Sequence, residues 1–248
     1  MLDSNQLVSV AAYLGAAIGI SLSSISAGFG EGFTASYATK AITRQPKASD
    51  NVAKSMLISQ AVTETCAIFA LVVGLLLLFG GATSNPSLAR AAALLAAGIA
   101  TGMGSLGPGM GSGYAGALAV QSLGRMPKKD SDITGNMIVG QALSQASSSF
   151  ALVVALLLIY AVPDSSQLPL YEQIIRATLY LSASICIGLG TLGPGSAIGY
   201  VAGRSNDMLG RYPRQRANIT RTMILGSAVT ESTAIYSLVI AFLLIFVV

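Results

Sequence analysis

The chain has 248 residues, of which 53% are hydrophobic and 10% are charged, and its formal net charge is +4. This composition lies outside the range of ordinary soluble domains and favours a membrane protein. The positive charge lies in short connecting segments without a basic aromatic face, which argues against nucleic acid as a partner.

Six apolar stretches are each long enough to cross a bilayer, so we predict an all-α membrane protein with six transmembrane helices. In chain order they cover approximately residues 7–37, 54–80, 88–121, 135–162, 174–204 and 219–248. The first stretch follows Asp3 rather than a basic segment and is too long for the core of a cleaved signal peptide. We therefore expect it to remain in the mature protein.

The basic residues are distributed unevenly between the connections. All of the 14 Lys and Arg residues except Arg90 and Arg176 lie in or beside the connections after the first, third and fifth stretches. The positive-inside rule places these connections in the cytoplasm and both termini outside, as expected for a multi-pass protein of a prokaryotic plasma membrane.

The sequence repeats itself three times. A shift of 81 residues places Gly28–Gly32 on Gly109–Gly113, and a shift of 167 residues places Gly28–Gly32 on Gly195–Gly199. The same shifts superpose an Arg-x-Pro sequence in each basic connection. We therefore predict three tandem helical hairpins, covering residues 1–82, 83–166 and 167–248.

The first helix of each hairpin is rich in glycine, which allows neighbouring membrane helices to approach closely. This pattern favours an inner wall of first helices surrounded by an outer layer of bulkier second helices. Kinked helices are an alternative, because Pro108 and Pro194 lie within the glycine-rich stretches. Broken helices of secondary transporters are another, although their repeats are usually larger than one hairpin.

Three acidic residues, Glu31, Glu64 and Glu231, lie within predicted spans. A charged group there is costly and indicates a functional site, in which the carboxylate is protonated, paired or bound to a cation. Glu64 and Glu231 occupy equivalent positions, at which the middle hairpin has the non-titrating Gln145. We therefore expect two ion carriers in three hairpins.

Together, the glycine-rich helix, the Arg-x-Pro loop and the segment Val229–Tyr236 resemble the c subunit, or proteolipid, of rotary ATP synthases and V-type ATPases. The resemblance covers the whole chain three times and is greatest to sodium-coupled members. It implies a non-catalytic subunit, consistent with the lack of a P-loop motif, and a closed c-ring of identical chains with a lipid-filled centre. The F-type and V-type branches both remain open.

The resemblance also implies partners. The ring would turn against a stator a-type subunit whose arginine displaces the transported ion, Na⁺ or H⁺, and no organic cofactor is expected. Central stalk subunits would contact the basic loops, through Arg44, Gln45, Pro46, Arg125, Pro127, Arg211 and Pro213.

Sodium-binding members take their ligands from the Glu, a Gln on the first helix, a carbonyl two residues before the Glu and the hydroxyl after it. In the first hairpin these positions correspond to Glu64, Glu31, Val62 and Thr65. One proton and one Na⁺ could satisfy the two carboxylates, because neighbouring carboxylates resist joint ionisation.

The third hairpin matches this pattern less completely, because Ile198 stands at the Gln position. Its matching residues are Val229, Glu231, Ser232, Thr233 and Tyr236. In the second hairpin we expect the carbonyl of Leu143 or the hydroxyl of Ser147 to serve a neighbouring unit. We favour Na⁺ at Glu31, Glu64 and Thr65, and at Glu231 and Ser232, with H⁺ as the alternative.

A small secondary transporter or channel that uses the buried carboxylates is the main rival function. It predicts a pore or substrate cavity within one chain, whereas the rotor predicts a ring of chains. A purely structural membrane proteolipid would leave Glu64 and Glu231 without a role.

Overall fold

The computed structural model describes residues 3–80 and 85–247, and long helices account for nearly all of them. The helices are α1 (Ser4–Arg44), α2 (Ser49–Phe79), α3 (Leu88–Arg125), α4 (Asp130–Tyr160), α5 (Leu170–Arg211) and α6 (Arg216–Phe246). All six are long and apolar enough to cross a membrane. The predicted six-helix membrane fold is therefore confirmed.

The helices extend further toward the basic loops than the predicted spans do. For example, α1 ends at Arg44 and α5 at Arg211, whereas the apolar stretches were expected to end near residues 37 and 204. The prediction followed apolar residues, but a helix continues through polar residues until a stop signal interrupts its backbone. The predicted end of the last span, residue 248, lies outside the described residues.

Each hairpin turns at its Arg-x-Pro sequence. The residue before each proline, namely Gln45, Met126 or Tyr212, leaves the helical conformation with φ of −138°, −136° or −128°. Proline disfavours the helical conformation in the residue before it, and its own missing N–H is harmless in the first turn of a new helix. A single 3₁₀ turn therefore begins at each proline and leads into the next helix.

The first helices of the three hairpins pack side by side, with α3 between α1 and α5. Glycine makes this close packing possible: a Cβ atom on Gly98 would lie 1.9 Å from the carbonyl oxygen of Gly15, and one on Gly113 would lie 2.1 Å from the Cα of Gly30. The helices α3 and α5 continue through Pro108 and Pro194 without a break. The first helices thus form an inner layer.

The second helices form an outer layer. The helix α2 packs on both α1 and α3, and α4 packs on both α3 and α5. The helix α6 packs on α5 and α4. Each outer helix therefore lies over the groove between its own inner helix and the inner helix of the following hairpin, except α6, which has no following hairpin within the chain.

One face of the inner layer is left uncovered by the outer helices, and we call it the inner face. On α3, between residues 95 and 114, six residues are not fully buried, and they are Leu95, Ile99, Met103, Leu106, Met110 and Tyr114. Their spacing of three or four residues places them on one side of the helix. The equivalent residues run from Leu14 to Phe33 on α1 and from Leu181 to Tyr200 on α5.

Candidate functional site

The carboxylate of Glu231 lies at the contact between the second and third hairpins. Both of its oxygens accept hydrogen bonds from the hydroxyl of Ser147 on α4, at 3.0 and 3.3 Å. Ser147 was one of two groups that we expected to serve a neighbouring hairpin, and the structure confirms its contact. The site at Glu231 is therefore built across a hairpin boundary.

Two acidic residues of the first hairpin, Glu31 and Glu64, lie close together. Glu64 is exposed on α2 and Glu31 is half-buried on α1, and the two carboxylates are near enough to interact electrostatically. The side-chain amide of Gln60 donates to the backbone carbonyl of Glu31 at 3.3 Å, which ties α2 to α1 at this level. Val62 and Thr65 are half-buried beside Glu64.

The remaining predicted residues of the third hairpin are not brought to the carboxylate of Glu231 by any hydrogen bond found in the described part of the chain. The hydroxyl of Ser232 donates to the carbonyl of Val229 at 2.7 Å, and that of Thr233 donates to the carbonyl of Thr230 at 2.9 Å. Val229 is 73% exposed and Tyr236 is 66% exposed. These groups lie on open surface of α6.

Gln145 occupies the carboxylate position of the middle hairpin and is buried. Its amide nitrogen lies 3.5 Å from the carbonyl oxygen of Thr63 in the preceding hairpin, and its amide oxygen accepts from the hydroxyl of Ser148 at 3.1 Å. A protonated carboxyl group has nearly the same shape and likewise presents a donor on one side and an acceptor on the other, although it has one donor hydrogen where the amide has two. Gln145 therefore resembles a permanently neutralised glutamic acid.

One polar residue near this position, Gln141, was not singled out from the sequence. It is fully buried, and its amide nitrogen donates to the hydroxyl of Ser59 at 2.8 Å and to the carbonyl of Ser112 at 3.0 Å. Gln141 thus joins α2, α3 and α4 inside the predicted membrane span. The repeat gave a signal for it, because a shift of 81 residues places Gln60 on Gln141.

The basic loops lie together at one end of the helices, and three of the arginines in or beside them form salt bridges within the chain. Arg125 and Arg211 both form salt bridges with Asp207, the latter at 3.1 Å. Asp207 is buried on α5, although its sequence position suggested an ordinary residue near a helix end. A further pair, Arg216 with Asp132 at 2.6 Å, joins α6 to α4.

Comparison with known proteins places these features in a family. The family model of the ATP synthase c subunit matches residues 14–77, 95–158 and 181–244. One match falls within each predicted hairpin, and in each of the three the Glu64 position is included.

Curated relatives carry the same description and are each about one hairpin long. The ATP synthase c subunit of Synechococcus sp. (strain JA-2-3B'a(2-13)) is 46% identical over 76 residues, which are 31% of this chain and 94% of the relative. The protein of that name from Thermotoga maritima is 44% identical over 69 residues, or 28% of this chain and 81% of the relative.

The chloroplastic ATP synthase c subunit of Galdieria sulphuraria is 40% identical over 81 residues, which are 33% of this chain and 98% of the relative. Three tandem matches to one family model, and relatives matched over most of their length, agree with the triplicated hairpin of the structure. The chain belongs to the family of ATP synthase c subunits, in a form that joins three of the family's hairpins in one polypeptide.

Proposed function

We propose that the chain is an ion-translocating subunit of a rotor ring, which carries Na⁺, or alternatively H⁺, on Glu64 and Glu231. As a member of this family it is a non-catalytic membrane subunit of an ATP synthase complex. The observation that carries the proposal is the position of Glu231. Its carboxylate lies within a candidate membrane span and accepts a hydrogen bond from a hydroxyl of the preceding hairpin.

The physical basis of coupling is the cost of exposing a bare carboxylate to lipid. A carboxylate neutralised by a bound proton or cation can face the hydrocarbon, whereas the free anion cannot. Rotation through lipid is then allowed only for loaded sites, and an arginine of an a-type stator subunit would hold each site while it is unloaded. Ion flow and rotation become inseparable.

Gln145 changes the ratio of ions to hairpins. An amide never ionises, so the middle hairpin can pass through lipid at all times but carries nothing. A ring of these chains moves two ions per three hairpins, fewer than a ring of equal size with three carboxylates. A larger ion gradient is then needed for ATP synthesis, and ATP-driven pumping becomes easier.

We further propose that identical chains close into the ring by repeating the contacts seen between hairpins. Cβ atoms on Gly113 and Gly199 would collide with Gly30 and Gly111 respectively, whereas one on the equivalent Gly32 meets open space. The next contact in this series would join Gly32 of the following chain to Ala197 of this chain. Open space beside Gly193 on the opposite edge also fits such a junction.

Ring closure would complete the site at Glu64. Thr233 is the repeat equivalent of Ser147. Thr233 of the preceding chain would therefore contact Glu64 as Ser147 contacts Glu231. The carbonyl of Val229 and the hydroxyl of Ser232 on the same helix would add further oxygen ligands. With Glu31 these form an oxygen-rich set that suits a hard cation such as Na⁺.

The basic loops would face the cytoplasm and contact the central stalk, with both termini outside. Among the loop residues, Arg44 is exposed and Arg211 keeps half of its side chain exposed while it pairs with Asp207. These loops could therefore bind a protein of the stalk without losing their internal salt bridges.

The mass of the membrane sector tests the proposal. Native mass spectrometry of the complex isolated from membranes should release a species that contains several copies of this chain. A species containing one chain, with ion transport retained, would instead support a transporter or channel.

A further inference from the structure

Aromatic side chains form a continuous row across the inner face. Phe33, Tyr114 and Tyr200 occupy equivalent positions in the three hairpins. The rings of Tyr114 and Tyr200 stack at 5.4 Å between centroids and 17° between planes, and Phe33 lies 6.3 Å from Tyr114. Tyr37 stacks on Phe33 at 5.4 Å. We call Phe33, Tyr37, Tyr114 and Tyr200 the aromatic collar.

Two cationic side chains lie beside the aromatic collar, on the side nearer the basic loops. The ammonium group of Lys40 lies 5.2 Å from the centroid of the Tyr37 ring, and Arg204 is near enough to the Tyr114 hydroxyl to interact with it electrostatically. Both cations are exposed, and within residues 3–80 and 85–247 neither forms a salt bridge. The nearby Asp207 is bound by Arg125 and Arg211. The charge at this level therefore favours an anionic partner.

On its other side the aromatic collar borders an apolar surface of membrane thickness. From Leu95 to Tyr114 the inner face of α3 spans about 28 Å, at 1.5 Å per helical residue, which is close to the hydrocarbon thickness of a bilayer. A groove of 290 Å³ opens beside the aromatic collar, lined by Phe29, Gly30, Phe33, Met110 and Tyr114. Aromatic rings at such a boundary are typical of the membrane–water interface.

We propose that the aromatic collar, with Lys40 and Arg204, selects anionic phospholipids for the cytoplasmic leaflet of the lipid inside the ring. Each cation would attract the phosphate group of a lipid beside it, and an acyl chain would occupy the groove beside Phe33 and Met110. This inference rests on the proposed ring, because the inner face encloses lipid only when chains close around it. Each cation should favour an anionic headgroup by roughly five-fold.

Photo-crosslinking tests the inference. The ring would be assembled by cell-free synthesis of the chain in vesicles with equal amounts of photoactivatable phosphatidylglycerol and phosphatidylcholine, so that the enclosed lipid comes from the vesicles. Crosslinked peptides would then be mapped by mass spectrometry. We expect phosphatidylglycerol to dominate on the inner-face peptides of α1, α3 and α5. The double variant Lys40→Gln, Arg204→Gln should lose this preference by roughly five-fold per residue.

Two controls accompany the double variant. Arg221→Gln removes an exposed cation from α6 in the outer layer and should leave the inner-face preference unchanged. Lys40→Arg keeps the charge and should preserve it.

The outcomes are distinguishable. Equal crosslinking of both lipids on the inner face, or a preference that survives the double variant, would overturn the lipid inference while the ring stands. The mass of the same sample reports on the ring itself, and a sample without a ring would overturn both proposals.

Discussion

At the scale of single residues, the proposed ion carriage depends on what each hairpin places at the carboxylate position. Glu231 accepts from Ser147 of the preceding hairpin, whereas Gln145 is buried near the carbonyl of Thr63. Equivalent positions therefore hold a titratable carboxylate in the third hairpin and its neutral amide analogue in the second. Substitutions at these positions should have separate, site-specific effects.

Removing the Ser147 hydroxyl should affect Glu231 and spare Glu64. A hydrogen bond of this kind contributes about 1 kcal/mol, so Ser147→Ala should increase the rate of carbodiimide modification at Glu231 by roughly five-fold. Glu64 in the same sample is the internal control, and Ser149→Ala on the same helix is the matched variant. Equal rate changes at both glutamates would contradict the assignment of Ser147.

Restoring a carboxylate to the middle hairpin should create a third carrier. In Gln145→Glu, the protonated carboxyl can donate to the Thr63 carbonyl as the amide does, so the site should accept an ion. We expect carbodiimide to modify residue 145, and we expect the threshold ion gradient for ATP synthesis in vesicles to fall. Gln145→Leu is the control; an unmodified Gln145→Glu site would show that the middle position cannot carry an ion.

At the scale of helices, close packing of the inner layer depends on glycine positions that face a neighbouring backbone. A Cβ atom on Gly98 would overlap the carbonyl of Gly15, whereas a Cβ atom on Gly135 of α4 meets open space. Both glycines lie inside helices, but a methyl group would fit at Gly135 and not at Gly98.

The variants Gly98→Ala and Gly135→Ala test this difference. Gly98→Ala should force α1 and α3 apart and lower stability by about 1–3 kcal/mol, as overpacking does. Gly135→Ala should be neutral or stabilising by up to about 1 kcal/mol, because alanine is the better helix former. Thermal unfolding in detergent measures both, and equal melting temperatures would argue against the close α1–α3 contact.

Sequence reasoning predicted the helices and turns well, because each is marked locally. An apolar run of membrane length and a proline after an arginine are read without knowledge of the neighbours. The burial of Asp207 and the network around Gln141 were missed. Their partners, Arg125 and Ser112, lie on other helices, and sequence spacing does not say which helices pack together.

The repeat supplied part of this missing information. Because equivalent residues make equivalent contacts, the expectation that Ser147 or the Leu143 carbonyl serves a neighbouring hairpin could be made before the packing was known. The choice of Ser147 required the structure. The roles of Val229, Ser232 and Tyr236 remain predictions, since Val229 and Tyr236 are exposed on α6 and the half-buried Ser232 donates its hydroxyl to its own helix.

At the scale of the whole molecule, the two edges of the chain differ from its internal boundaries in one respect: they lack the neighbour that the repeat implies. Gly32 on α1 and Gly193 on α5 each face open space where their equivalents face another helix. A substitution at such an edge should disturb assembly rather than the fold of one chain.

Gly32→Leu tests this expectation. Its side chain would fit in the single chain but would obstruct the junction with Ala197 of a neighbouring chain. We expect the ring to be lost from native mass spectra while the helical content by circular dichroism stays unchanged. Gly135→Leu is the matched control, and an intact ring in Gly32→Leu would contradict the proposed junction.

The most direct test of the central claim is carbodiimide modification of the isolated complex, followed by peptide mass spectrometry and an assay of ATP-driven ion transport. We predict modification at both Glu64 and Glu231, none at Gln145, and loss of transport after only a small fraction of the glutamates is modified, because one blocked site stops a whole ring. Absence of modification at both glutamates, or transport that continues after both are modified, would contradict the role of this chain as an ion-carrying rotor subunit.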